Sequence, residues 1–159
     1  SALVSTKVIL KADTGATGHY IRKKDEVILQ KLKSTTTGPI VRLPNGHLMK
    51  HEKKGYLPIP NLPTEATESH TFKDLHSTSL LSIGQVCDAD CSAVFTKQDL
   101  QIFNDKKELV LTGQRSYTDG LWNVNLSSLQ PTTRPPRNLP PSNNLQPMLS
   151  SDTINQSPN

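Results

Sequence analysis

Short apolar runs rich in β-branched residues recur along the first 126 residues, each closed by turn-forming residues. This is the pattern of β-strands joined by tight connections. "LVSTKVILKAD" runs apolar into "DTG" at residues 13–15. "TGPIVRLPNGHLMKHEKKGYLPIP" carries the clearest hairpin signal, with Val41 and Leu43 leading in and Leu48 leading out. Pro44 suits the second position of a type I turn, Asn45 the third, and Gly46 the left-handed residue that follows. Pro58, Pro60 and Pro63 restrict the next stretch to a sheet edge or an irregular connection. "HSTSLLSIGQVCDADC" predicts a buried strand ending at Gly84 and then one or two helical turns. Three or four further strands follow, turned at "FNDKKE" and "TDG". In "KKDEVILQKLK", residues 23–33, the apolar positions Val27, Ile28, Leu29 and Leu32 fit a helix face no better than a strand. The pattern predicts an all-β fold with at most one or two short helices, without internal repeats.

Composition limits how much of the chain contributes to that fold. Hydrophobic residues make up 33% and aromatics 4%, both low for a chain of 159 residues. From Ser127 to Asn159 there are seven of the twelve prolines and no aromatic residue. Such a segment buries too little apolar surface to offset its ordering entropy, which predicts a disordered Pro-rich linker or tail over 127–159 and a folded domain over 1–126.

The net charge is +4. The cations of the folded part are scattered among acids, mostly between Arg22 and Lys54, and "IRKKDE" and "DKKE" read as solvated faces. A nucleic-acid footprint would need a denser basic stripe with stacking platforms, so nucleic acid is not an expected partner. Cys87 and Cys91 cannot complete a tetrahedral zinc site, and His51, His70 and His76 have no spacing that suggests one. The expectation is two inert thiols, no metal and no cofactor. "SALVSTKVIL" is too short to span a membrane and lacks the basic region of a signal peptide, so no membrane partner and an intracellular location are expected.

The stretch "KVILKADTGATGHYI" raises a chemical possibility. Amide hydrolysis at mild acidity needs one group to take a proton from water and another to give one. Two carboxyl groups a few ångströms apart do both, as in aspartic proteases, because they share a proton. The carboxylate must stand at a tight turn, followed by a hydroxyl that locks the loop and a glycine where a Cβ would crowd it. Asp13, Thr14 and Gly15 meet these needs in order, with small Ala16 after them. The tripeptide alone is weak support, since it arises by chance in roughly one chain in ten or twenty of this length.

With the other stretches in order, the chain resembles a family: the retropepsin-like aspartic proteases of LTR retrotransposon polyproteins, most closely the copia-like elements. "ADTGATGHYI" is similar to that family's active-site loop, including the downstream His19. "VRLPNGHLM" is similar to its central hairpin, and "LHSTSLLSIGQVCDADCSAVF" to its "NLLS-[VI]-x-Q-L" run and following strand. "TGQRSYTDGLWNV" resembles the junction toward the integrase region, and the likeness spans residues 4–126. The resemblance implies a small closed β-barrel, active as a homodimer, that cleaves a polyprotein in the cytoplasm or a virus-like particle. It implies that Asp13 and its symmetry mate activate a water, with the Thr14 pair bracing the two loops. The hairpin tip (Pro44, Asn45, Gly46, His47) would close over an extended peptide that also meets Ala16. Ile83 and Gly84 would match the hydrophobic-Gly element that supports the loop.

No second Asp-[Ser/Thr]-Gly occurs, so a single-chain, two-lobed arrangement is not expected. Two departures stand out: Lys11 lies in a strand that is usually more apolar, and Ser82 stands where retroviral members carry a large aliphatic residue. They keep open an alternative, a catalytically decayed dimerisation and scaffold module of the same polyprotein. Among lesser candidates, His19 competes as catalytic base against an ordinary partly exposed His. His47 competes as substrate contact against a solvated turn residue, and Trp122 reads as a core or interface anchor.

Overall fold

In the computed structural model of the chain, residues 4–130 are described. Eleven strands follow in order: β1 (Val4–Asp13), β2 (His19–Arg22), β3 (Gln30–Ser34), β4 (Ile40–Arg42), β5 (Leu48–Tyr56), β6 (Glu68–Phe72), β7 (Ser79–Ser82), β8 (Ser92–Phe95), β9 (Asp99–Phe103), β10 (Leu109–Arg115) and β11 (Trp122–Gln130). One short α-helix, α1 (Ile83–Asp88), and two 3-10 turns, Lys23–Ile28 and Thr64–Ala66, interrupt them. The chain is thus mostly β with short helical turns. The ambiguous segment at 23–33 divides into a 3-10 turn and then β3. The strand expected to end at Gly84 ends at Ser82, and the helix takes up Ile83 and Gly84. β11 runs past residue 126 to Gln130, and the rest of the proposed tail, 131–159, lies outside the described residues.

The strands pair along one path, β3-β5-β6-β2-β7-β1-β11-β10-β9-β8, with β4 joined to β5 at the side. Among the described residues no ladder joins β3 to β8, so the sheet is open. A closed barrel needs those ends to meet, and hydrophobic patterning within single strands says nothing about that. Ser5–Leu129 forms one compact unit.

At the centre of the path, β7 lies between two strands. It runs parallel to β1, in a register that sets Leu10 opposite Ser79 and Asp13 opposite Ser82. On its other side Tyr20 of β2 faces Leu80 in an antiparallel bridge. β2 in turn runs parallel to β6. The turn from β1 into β2 is thereby held over the end of β7.

Two apolar clusters hold these strands. The larger contains Val8, Leu10, Ile21, Leu81, Ile83, Val86, Leu100, Ile102 and Val124. Along β1, Val8 and Leu10 are buried while Ile9 between them is 53% exposed, the period-two alternation of a strand with one covered face. Full burial of a side chain such as Leu10 contributes about 1.5–3 kcal/mol. The smaller cluster joins Ala16, Tyr20, Met49 and Phe72, with Val41, Leu43, Leu75 and Leu80 packed against it. Tyr20 and Phe72 meet edge to face with ring centres 5.1 Å apart, a favoured aromatic geometry.

Candidate active site

Asp13 is the last residue of β1 and is partly buried. Its Oδ1 accepts the Gly15 backbone N–H at 2.7 Å, the Asx-type bond that short acidic side chains make at turns. A Cβ on Gly15 would lie 3.3 Å from that same oxygen, so a glycine lets the backbone amide approach the carboxylate. Thr14, between them, is exposed. Ala16 is buried, and Thr17 Oγ1 shares a hydrogen bond of 2.5 Å with the Tyr20 hydroxyl. Lys11 pairs with Asp119, half-exposed, so its charge reaches out of the strand rather than into the core. The pairing and hydrogen bonding hold Asp119 below the usual carboxylate range.

A second layer ties this turn to β7. Ser82 caps α1, its Oγ accepting the Gln85 N–H at 3.0 Å and donating to the Ala16 carbonyl at 2.7 Å. The Ser82 N–H donates to His19 Nδ1 at 2.9 Å, so the His19 proton is on Nε2, which donates to the Ala66 carbonyl at 2.7 Å. Gln85 Oε1 accepts the His19 N–H at 3.1 Å, while its Nε2 donates to the carbonyls of Glu65 and Glu68. His19 is 1% exposed. Burial pushes its pKa down from 6.5 to about 4, with the Ala66 hydrogen bond opposing that shift. The expectation of a partly exposed His is thus corrected, and with both ring nitrogens hydrogen-bonded inside the fold His19 has no free nitrogen to act as a catalytic base.

Sequence reasoning took Ser82 only as a departure from the family pattern and gave Gln85 no role, although Ser82-Ile83-Gly84-Gln85 fits the S-x-x-Q capping box. Here the box is split: His19 takes the Ser82 N–H, and the Gln85 side chain reaches the His19 backbone instead. Ile83 is buried in the larger cluster. Gly84 lies beside the loop, but a Cβ there would sit 3.8 Å from Ser82 Oγ and 3.9 Å from the Ala16 carbonyl oxygen. That is ordinary contact, so the tie to the loop within this chain is the Ser82 hydroxyl on the Ala16 carbonyl rather than the lack of a side chain at 84.

The hairpin forms with the turn its residues predict. Gly46 N–H donates to Leu43 O at 2.8 Å, Leu43 N–H donates to His47 O at 2.8 Å, and Gly46 has φ +86°. Asn45 Oδ1 accepts the His47 N–H at 2.9 Å. Val41, Leu43 and Met49 bring the hairpin into the apolar cluster that contains Ala16. Pro44, Asn45, Gly46 and His47 at the tip are all exposed. The hairpin base therefore shares packing with the Asp13 loop, while the tip lies in solvent. Two cavities among the described residues, about 360 Å³ beside Tyr56–Pro60 and about 390 Å³ at Lys33–Thr36, are lined without Asp13.

A buried ionic cluster stands next to this region. Asp25 is 5% exposed and accepts from Arg22 Nε at 2.8 Å, Arg22 Nη2 at 3.2 Å and Ser79 Oγ at 2.7 Å. Reading "IRKKDE" as a solvated face is thus corrected at Asp25. Its partner hydroxyl comes from β7, 54 residues away, and local pattern does not show it. Cys87 is exposed and Cys91 buried, both as free thiols, and burial raises the pKa of Cys91. Among the described residues no three His, Cys, Asp or Glu side chains converge as for a metal ion. Nor, among them, is any helix long and apolar enough to cross a membrane. No family model, curated protein or solved structure matches the chain.

Proposed function

We propose that this chain is one half of a retropepsin-like aspartic endopeptidase, completed by a second copy, that processes a copia-like retrotransposon polyprotein. The observation that carries the reading is the setting of Asp13. A carboxylate stands at the exit of a central strand and accepts the Gly15 amide at 2.7 Å. Its loop is tied by hydrogen bonds to the β7–α1 junction and shares an apolar cluster with a hairpin. That is the arrangement a carboxyl needs if it is to be held rigidly, partly open to a partner, and near a movable cover.

Two such carboxyls brought together across a two-fold axis share a proton. One activates water for attack on the scissile carbonyl, and the other protonates the departing nitrogen. The exposed Thr14 hydroxyl is available to brace the second loop. The hairpin offers strand edges for an extended peptide, and the tip residues Pro44–His47 close over it. The two departures that favoured a decayed scaffold have structural roles here. Lys11 pairs with Asp119, and Ser82 fixes both the loop and the helix cap.

The test is cleavage of a polyprotein fragment between about pH 4 and 7 by purified chain beside Asp13→Asn. The expected outcome is processing by the former and none by the latter. Equal cleavage by both removes Asp13 from the mechanism.

A further inference from the structure

We propose that His19 is a positioning residue for the Asp13 loop: its neutral ring, protonated on Nε2 only, locks the loop onto the β7–α1 junction, and adding a proton to Nδ1 releases the loop and ends activity on the acid side. The inference rests on the endopeptidase reading for its activity part and on the hydrogen-bond geometry for the rest.

Ser82 links the ring to the carboxylate. It lies opposite Asp13 in the β1–β7 ladder. Its Oγ holds the Ala16 carbonyl on the far side of the turn, and its N–H is held by His19 Nδ1. One residue therefore grips both ends of the Asp13–Ala16 turn, and the imidazole fixes that residue. Protonation of Nδ1 sets an N–H against the Ser82 N–H. Two donors then face each other at a site with 1% exposure, where water cannot relieve them. The ring and Ser82 must separate, and the turn loses its anchor.

The surrounding elements carry Asp13 and Tyr20 beside the loop, Glu65 in the Thr64–Ala66 turn, Glu68 and His70 on β6, and Cys87 and Asp88 on α1. None of these side chains is hydrogen-bonded to the ring. Burial governs the ring's proton affinity, with the Ala66 carbonyl opposing it. No acid is placed to stabilise an imidazolium there, so the second proton acts on the loop.

The experiment is ring and amide NMR on the full chain during a pH titration, paired with cleavage kinetics. Nitrogen shifts of His19 should show a proton on Nε2 and a bare Nδ1 through the neutral range. In Asp13→Asn, which removes the carboxyl's own titration, the amides of Gly15, Ala16 and Ser82 should still shift together with the His19 midpoint. In His19→Gln, whose amide can donate to Ala66 O but cannot titrate, that step should vanish. Its kcat at pH 6 should fall roughly ten- to a hundredfold with KM little changed, and its acid limb should move lower than in the unsubstituted chain. A proton found on Nδ1, or loop amides that ignore the His19 midpoint, overturns the proposal without any reference to activity. An acid limb unchanged in His19→Gln overturns the activity part. Failure of the unsubstituted chain to cleave at any pH is a different result: it overturns the endopeptidase reading and the acid-limb claim together, while the NMR arm still decides the loop coupling.

Discussion

At position 82 a single hydroxyl donates to Ala16 O and accepts from Gln85 N, so Ser82→Ala removes a helix cap and leaves a buried carbonyl without its donor. Caps and buried hydrogen bonds of this kind are each worth about 1 kcal/mol, and the expected loss is about 2 kcal/mol in urea unfolding. His19 adds a pH dependence whose sign follows from its lowered pKa. The unfolded chain binds the proton near pH 6.5, and the folded chain binds it only near 4. Between those values the unfolded state holds more protons, so stability falls as pH is lowered through that window and is level above it. The fall attributable to this ring is about 3 kcal/mol, read as the difference in unfolding free energy between pH 7 and 4 that His19→Gln lacks. Asp25 makes a third case. Asp25→Ala leaves the Arg22 guanidinium facing a vacated, largely buried site and should destabilise the chain by about 2–4 kcal/mol, measured by the same unfolding assay.

The hairpin formed by β4 and β5 is fixed by its own turn and by what its base packs against, and these contributions can be separated. Gly46→Val places a β-branched residue at φ +86° and should cost about 1–2 kcal/mol, confined to the tip. Met49→Ala empties a position that is 2% exposed in the cluster shared with Ala16, and should cost about 2–4 kcal/mol. Hydrogen exchange distinguishes them: the first variant loses protection only near Leu43–His47, and the second also in the Ala16–Tyr20 segment. The same contrast explains what was legible in the sequence. The turn at Pro44-Asn45-Gly46 and the glycine beside Asp13 depend on chemistry within a few residues, and both were readable. The ladder that sets Asp13 opposite Ser82, the bond from Ser82 to His19, and the burial of Asp25 under Ser79 join residues 54 to 69 positions apart. A hydrophobic pattern does not encode such pairings. A serine in place of an aliphatic residue therefore looked like decay, although in the fold it is a cap and an anchor.

For the whole molecule, one Asp13 per chain has a definite kinetic consequence if two are needed. A two-fold pair assembled from identical chains draws its partners at random from solution. Mixing equal amounts of the unsubstituted chain and Asp13→Asn therefore leaves about a quarter of all pairs with two intact carboxyls. If one carboxyl sufficed in either chain, three-quarters of the pairs would work; if chains acted singly, activity would track the unsubstituted fraction and stay at about half. At dilutions where the pair dissociates, the rate should rise with the square of chain concentration and become proportional to it once pairing saturates. The mixing series should be run on chains unfolded together and refolded, so that slow exchange between preformed pairs does not preserve the homodimers. Sedimentation of the same samples fixes how much pair is present, which separates a weak dimer from an inactive one. A rate strictly proportional to concentration across the whole range, with half the activity in the equal mixture, places the chemistry within a single chain and removes the shared-proton pair at the centre of the proposed mechanism.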